Sequence, residues 1–156
     1  MMIIAVSINH KINSDVLFNK ACKCGNLKII EFLIDYADPK NNYNYPFYLA
    51  CKHGHINVVQ FLLQDEFWEI DPSDNENESL IVACKYGHMD VVKYLLEDVG
   101  IYLYNYVEEK EMFKKLLQYG YLDIVEYVIL NKLYYNSQLV LFLLCKYDVT
   151  HLALHI

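Results

Sequence analysis

The side chains with the widest chemical reach in this chain are thiols and imidazoles. Cys22 and Cys24 form a Cys-x-Cys pair, and His53 and His55 form a His-x-His pair one repeat later. Thiolate sulfur and imidazole nitrogen are the ligands zinc prefers, so these four could gather at a metal. The pattern is incomplete, however, because Cys-x-Cys has no matching second cysteine pair. We therefore expect no metal and no cofactor. Catalytic patterns are missing too. There is no Gly-rich phosphate loop, no His-Glu-x-x-His and no nucleophile elbow. Ser7, Ser14, Ser73, Ser79 and Ser137 stand in no recognisable catalytic setting. The expectation is a protein without enzymatic activity.

A second kind of chemistry recurs along the chain. Lysine and an aromatic residue stand side by side just ahead of a glycine, as in Lys85-Tyr86-Gly87. Such residues bind rather than react. They sit in a repeating element whose clearest copy is residues 83–98, ACKYGHMDVVKYLLED. This reads as the end of one helix at Lys85 and Tyr86, a turn on Gly87, and a second helix from Met89 to about Leu96. Met89, Val92, Leu95 and Leu96 fall on one face of the second helix. Asp90 lies in its first turn, where the helix dipole favours a carboxylate. Gly87 supplies the left-handed conformation that lets the chain reverse.

Copies flank it: ACKHGHINVVQFLLQ at 50–64, ACKCGNLKIIEFLI at 21–34, and the weaker LLQYGYLDIVEYVI at 116–129. The turn glycines Gly25, Gly54, Gly87 and Gly120 are spaced by 29, 33 and 33 residues. A fifth, degraded copy at 144–154 carries Asp148 in place of the glycine. One such hairpin cannot bury its apolar faces alone, so neighbouring copies must stack.

This pattern resembles the ankyrin-repeat family. Residues 45–51, YPFYLAC, are similar to the first half of the family motif, and Gly54-His55 and Gly87-His88 keep its Gly-His step. The Asp71-Pro72-Ser73 loop resembles a variant frequent in protist and giant-virus arrays. The implied fold is an all-α solenoid of stacked helix-turn-helix units. A leader spans 1–14, and one domain spans 15–156, with units at about 15–44, 45–77, 78–110, 111–137 and a degraded 138–156. Asp15 reads as the N-cap of the first helix, and Pro46 suits the first turn of its own. Asn19 and Lys20 give the first unit a polar outer face. Residues 101–106 alternate in a way that suggests short strands. Trp68 is expected to pack on the preceding helix, and residues 71–78 to form a solvated loop tip.

The resemblance also implies a binding surface. The two positions before the turn residue, Lys23, Lys52, Lys85, Gln118 and Lys146, then Cys24, His53, Tyr86, Tyr119 and Tyr147, would line a concave groove. Of these we expect Lys23, Lys52, His53, Lys85, Tyr86, Gln118, Tyr119, Lys146 and Tyr147 to touch a partner, together with the loop residues Asn41, Asn42, Asp74 and Asn75. Cys22, Cys51, Cys84 and Cys145 share a register that the family fills with small buried residues, so a row of buried free thiols is expected.

Bulk properties limit the partner. A net charge of −7 speaks against nucleic acid and against an anionic membrane surface. The longest apolar run, 139–145, is far short of the roughly 20 residues of a membrane span. Residues 1–8 lack the features of a signal peptide. Free thiols point to a reducing, cytoplasmic setting, which would be the host cytoplasm if the source is viral. The expected function is a protein-interaction module for a protein partner, with an acidic segment as the natural complement of the lysines. The alternative is a structural subunit that forms a homodimer through its apolar C-terminal end.

Overall fold

The structure is a computed structural model that describes residues 14–64, 68–101, 106–131, 133–134 and 136–156. Among these residues every regular element is helical. Helix α1 covers 14–24. It is followed by α2 (Leu27–Leu33), α3 (Asn41–Lys52), α4 (Ile56–Gln64), α5 (Asp74–Tyr86) and α6 (Met89–Lys93), then α7 (Tyr106–Tyr119), α8 (Leu122–Leu130) and α9 (Ser137–Lys146). A 3-10 helix, Thr150–His155, closes the chain.

Odd-numbered helices are the inner members of each unit, and α3, α5, α7 and α9 pack one upon the next. The core is a set of rows that repeat at the same distance from each turn glycine. Seven residues before it stand Phe18, Phe47, Leu80 and Phe113, all fully buried. Five residues after it stand Ile30, Val59, Val92 and Val125, also fully buried. Each such side chain contributes about 1.5–3 kcal/mol by leaving water. None can do so without the adjacent unit, and that links sequence period to stability.

The turn itself is fixed by close approach. Gly54 has φ +72°, and a Cβ built there would lie 2.5 Å from the His88 ring of the next unit. Gly25 meets His55 in the same way. Each histidine also hydrogen-bonds the preceding unit's backbone: His55 Nε2 lies 2.9 Å from the Lys23 carbonyl, and His88 Nε2 lies 3.0 Å from that of Lys52. The Gly-His step is therefore a staple between units. Glycine leaves the seat, and the histidine of the next unit fills it.

Several expectations change. Asp15 lies inside α1, and its carboxylate accepts the Asp38 N–H at 2.8 Å, so it ties α1 to the loop that follows α2 instead of capping its own helix. Asn19 does not face outward as a polar cap. It is half-buried and its amide donates to Asn41 Oδ1 at 3.1 Å. The second helix of unit three does not run evenly to Leu96. It widens into a π turn over Tyr94–Asp98, closed by the Val99 N–H on the Tyr94 carbonyl. Cys145 is exposed, unlike Cys22, Cys51 and Cys84, and among the described residues no further inner helix lies over α9. The loop 71–78 is not wholly a solvated tip, since Asn77 is buried.

Other expectations stand. Trp68 packs on Phe61 of α4, with ring centroids 5.3 Å apart. Pro46 falls in the first right-handed turn of its helix, because Asn42, Tyr43 and Asn44 before it are left-handed. Of the leader, residues 1–13 lie outside the described residues, while Ser14 opens α1; of the suggested strands at 101–106, residues 102–105 lie outside them, while Ile101 is irregular and Tyr106 opens α7.

Candidate functional site

The lysine and aromatic positions expected to bind lie at the C-terminal ends of the inner helices, and the loop positions at the opposite ends. Lys23, His53, Tyr86, Gln118, Tyr119 and Lys146 are exposed, and Lys52 and Lys85 are half-exposed. The lysine and aromatic rows interlock. Lys52 Nζ sits 5.6 Å from the centre of the Tyr48 ring and 5.8 Å from that of Tyr86 in the next unit. Lys85 Nζ sits 5.6 Å from the Tyr86 ring. At these distances the ring quadrupole attracts the cation, by about 0.5–1 kcal/mol at exposed sites. The helix dipole alone would favour a lysine here. Contact with two aromatic rings in adjacent units adds a second cause.

A second aromatic row backs the first. His53 stacks with His55 and Tyr86 with His88, at centroid distances of 6.3 and 6.4 Å, and Tyr119 meets Tyr121 in a tilted contact at 6.4 Å. The residue before the turn glycine is thus held by the residue after it, which is itself the staple to the preceding unit. Tyr86 and Tyr119 are 44% and 47% exposed. Each offers one half of its surface while the other half is braced. His53 reports the local field: its pKa is lowered, first by partial burial and then by the positive charge of Lys23, His55, Lys52 and His88. A chain that is acidic as a whole is locally basic here.

The rows do not run unchanged into the last unit. Tyr147 is half-buried against the core, and Lys146 Nζ lies 5.7 Å over its ring. The loop positions fall in two classes. Asn42, Asp74 and Asn75 are exposed, whereas Asn41 is half-buried and holds the loop by donating to the Asp38 carbonyl at 2.7 Å.

A feature of the loops was legible but overlooked. Asn42 and Asn44 in one loop, and Asn75 and Asn77 in the next, all have positive φ, between 49° and 59°. Asparagine visits the left-handed region more readily than other side-bearing residues. An Asn-x-Asn step recurring at 33 residues is the signal that could have found these turns. Each turn buries its second asparagine, Asn44 at 3% and Asn77 at 2% exposure, at the base of the loop.

Comparison with protein families agrees with this geometry. A model described as ankyrin repeats, of three copies, matches residues 3–74 and 18–105. The chain belongs to the ankyrin-repeat family. No curated protein and no solved structure matches it. Ankyrin repeats are in general protein-interaction modules and typically not enzymes. Among the described residues no group of three or more metal-binding side chains is assembled, and Cys22 and Cys24 are parted, one buried and one exposed. Among the described residues no helix is long and apolar enough to cross a membrane.

Proposed function

We propose that this ankyrin array binds a protein partner through the surface formed by Lys52, Lys85, Tyr86 and Tyr119, flanked by Lys23, His53, Gln118, Lys146 and the loop residues Asn42, Asp74 and Asn75. One observation carries the reading. Lys52 bridges aromatic rings of two successive units, so cations and rings form one half-exposed surface. Tyrosine gives large contact area at small entropic cost, and such residues are enriched at binding hot spots. The lysines favour an acidic segment on the partner, mainly through association rate and specificity. The site reading is consistent with an intracellular protein that needs no cofactor.

The test is capture of a partner from the native cell, followed by measurement with Y86A/Y119A. The double substitution should weaken binding by about 2 kcal/mol or more with the circular dichroism of the fold unchanged. Changing Lys52 and Lys85 to glutamine should mainly slow association and flatten its salt dependence. Full affinity in the double tyrosine variant means that the groove is not the contact.

A second reading has its own observation. Phe142 on α9 is 63% exposed and Leu154 is 89% exposed, beside the exposed Cys145. Phe142 and Cys145 stand three residues apart on one face of α9, and an exposed apolar helix face marks interfaces. A homodimer through α9 would show as concentration-dependent mass in sedimentation, lost in F142E. A monomer at high concentration removes this reading.

A further inference from the structure

The loop of unit two and the first turn of α5 enclose a cavity of about 250 Å3. One wall is aromatic. Tyr45 and Tyr48 stack with centroids 5.9 Å apart and planes within 15°, and Tyr43, 83% exposed, also lines the space. Asp74 and Glu78 line it as well, both exposed at its mouth. At its base is Asn44, buried to 3% exposure.

The hydrogen bonds of Asn44 fix the acidic side of the cavity. Its amide nitrogen donates to the Asp71 carbonyl at 3.5 Å and to the Asp74 carboxylate. Those bonds fix the amide orientation, since turning it over would set its oxygen against the carboxylate. Its Oδ1 is buried and has no hydrogen-bond partner. A buried acceptor without a donor is costly, and native structures seldom leave one. Glu78 likewise has no ion pair or hydrogen bond among the described residues. The Asn44 oxygen has under 1 Å2 of accessible surface, so the acceptors open to the pocket are the carboxylates of Glu78 and Asp74. They stand beside stacked rings.

We propose that this pocket receives the guanidinium group of an arginine side chain from a partner polypeptide. Guanidinium is planar and stacks on tyrosine, and it carries five N–H donors in a fixed fork. It can therefore meet separate acceptors at once. A lysine ammonium is more strongly hydrated and does not stack. A quaternary ammonium group has no N–H donor for the two carboxylates. Lys52 Nζ already lies over the Tyr48 ring, but Lys52 does not line the cavity, and its single charge is outweighed by two carboxylates. Tyr45 and Tyr43 supply the remaining aromatic faces. The proposal rests on the protein-interaction reading only for the source of the arginine.

The test needs no partner. N-acetyl-arginine methylamide is titrated into the isotope-labelled full chain and followed by NMR. The Asn44 side-chain amide and the Tyr45 and Tyr48 rings should shift and saturate, with a dissociation constant on the order of millimolar for an isolated head group. The citrulline analogue, of equal shape but neutral, should leave these signals unmoved. The lysine analogue should bind several-fold more weakly. E78Q should weaken the arginine analogue roughly threefold to fivefold, as loss of one exposed charge contact does, while the melting curve stays put. The proposal is overturned by unsaturable shifts, by equal response to citrulline or lysine, or by an indifferent E78Q. Tyr86 and Tyr119 do not line this cavity, so the groove can fail while the pocket stands, and the reverse.

Discussion

Units two and three and the last unit follow one pattern and end in different states. In the central units the turn residue is glycine and the next unit seats a ring over it, His88 over Gly54 and Tyr121 over Gly87, and His88 also grips the carbonyl two residues back. In the last unit the turn residue is Asp148, left-handed at φ 57°, and the outer helix is reduced to a 3-10 segment, Thr150–His155. Gly120 stands between these states: its φ is +76°, yet a Cβ there would meet nothing within 4 Å. Val149 occupies the place of the stapling histidine and turns into the core instead. Stability in this array thus lives in the junctions between units more than in the units themselves.

The largest effect should separate two glycines of equal conformation. Alanine in the left-handed region costs about 1–2 kcal/mol wherever it stands. At Gly120 that is the whole cost, since the space is open. At Gly54 the new Cβ must also displace the His88 ring and break its bond to the Lys52 carbonyl, adding about 1 kcal/mol or more. Urea unfolding should therefore rank G54A well below G120A, with G54A near 3 kcal/mol. Equal costs would mean that the staple contributes nothing.

A smaller effect should come from repairing the other end. Asp148 is exposed and left-handed, so D148G should stabilise the chain by about 1 kcal/mol, chiefly by removing backbone strain. The gain should appear locally. Hydrogen exchange should show amides after about residue 133 opening before those of α3 to α6, with the gap narrowed in D148G. Uniform protection through Leu154 would remove the distinction between the regions.

The periodic features were legible in sequence because they depend on neighbours in register. The glycines, the Gly-His step and the buried rows follow from a repeat that must stack. The lysine and aromatic positions followed for the same reason. What escaped depends on contacts that no period announces. Asp15 looked like a cap by local rules, yet it accepts a backbone N–H from residue 38. Glu109 lies in the first turn of α7, where a carboxylate suits the helix dipole, yet it is fully buried and accepts the Asn136 N–H at 2.9 and 3.0 Å. Both acids reach a loop backbone more than 20 residues further along the chain. The Tyr45–Tyr48 cavity escaped because its two walls come from loops a full repeat apart.

The gentlest test alters no residue and asks which cysteines the solvent can reach. Cys22, Cys51 and Cys84 are buried, and burial raises their thiol pKa, to about 12 at Cys22 and at Cys84. Only the thiolate attacks a maleimide, so burial slows these three twice, by access and by protonation. Cys24 and Cys145 are exposed. Native protein at neutral pH should therefore label quickly at two sites, and at the other three only as units open or in denaturant. Peptide mapping by mass spectrometry assigns the sites. The informative residue is Cys145, which holds the register of Cys84 without a unit packed over it. Fast labelling there at low concentration, falling as concentration rises, would reveal a second copy covering α9. Fast labelling at every concentration would leave that face free and count against the dimer. Protection as deep as that of Cys84 at the lowest concentration would contradict an uncovered end within the single chain.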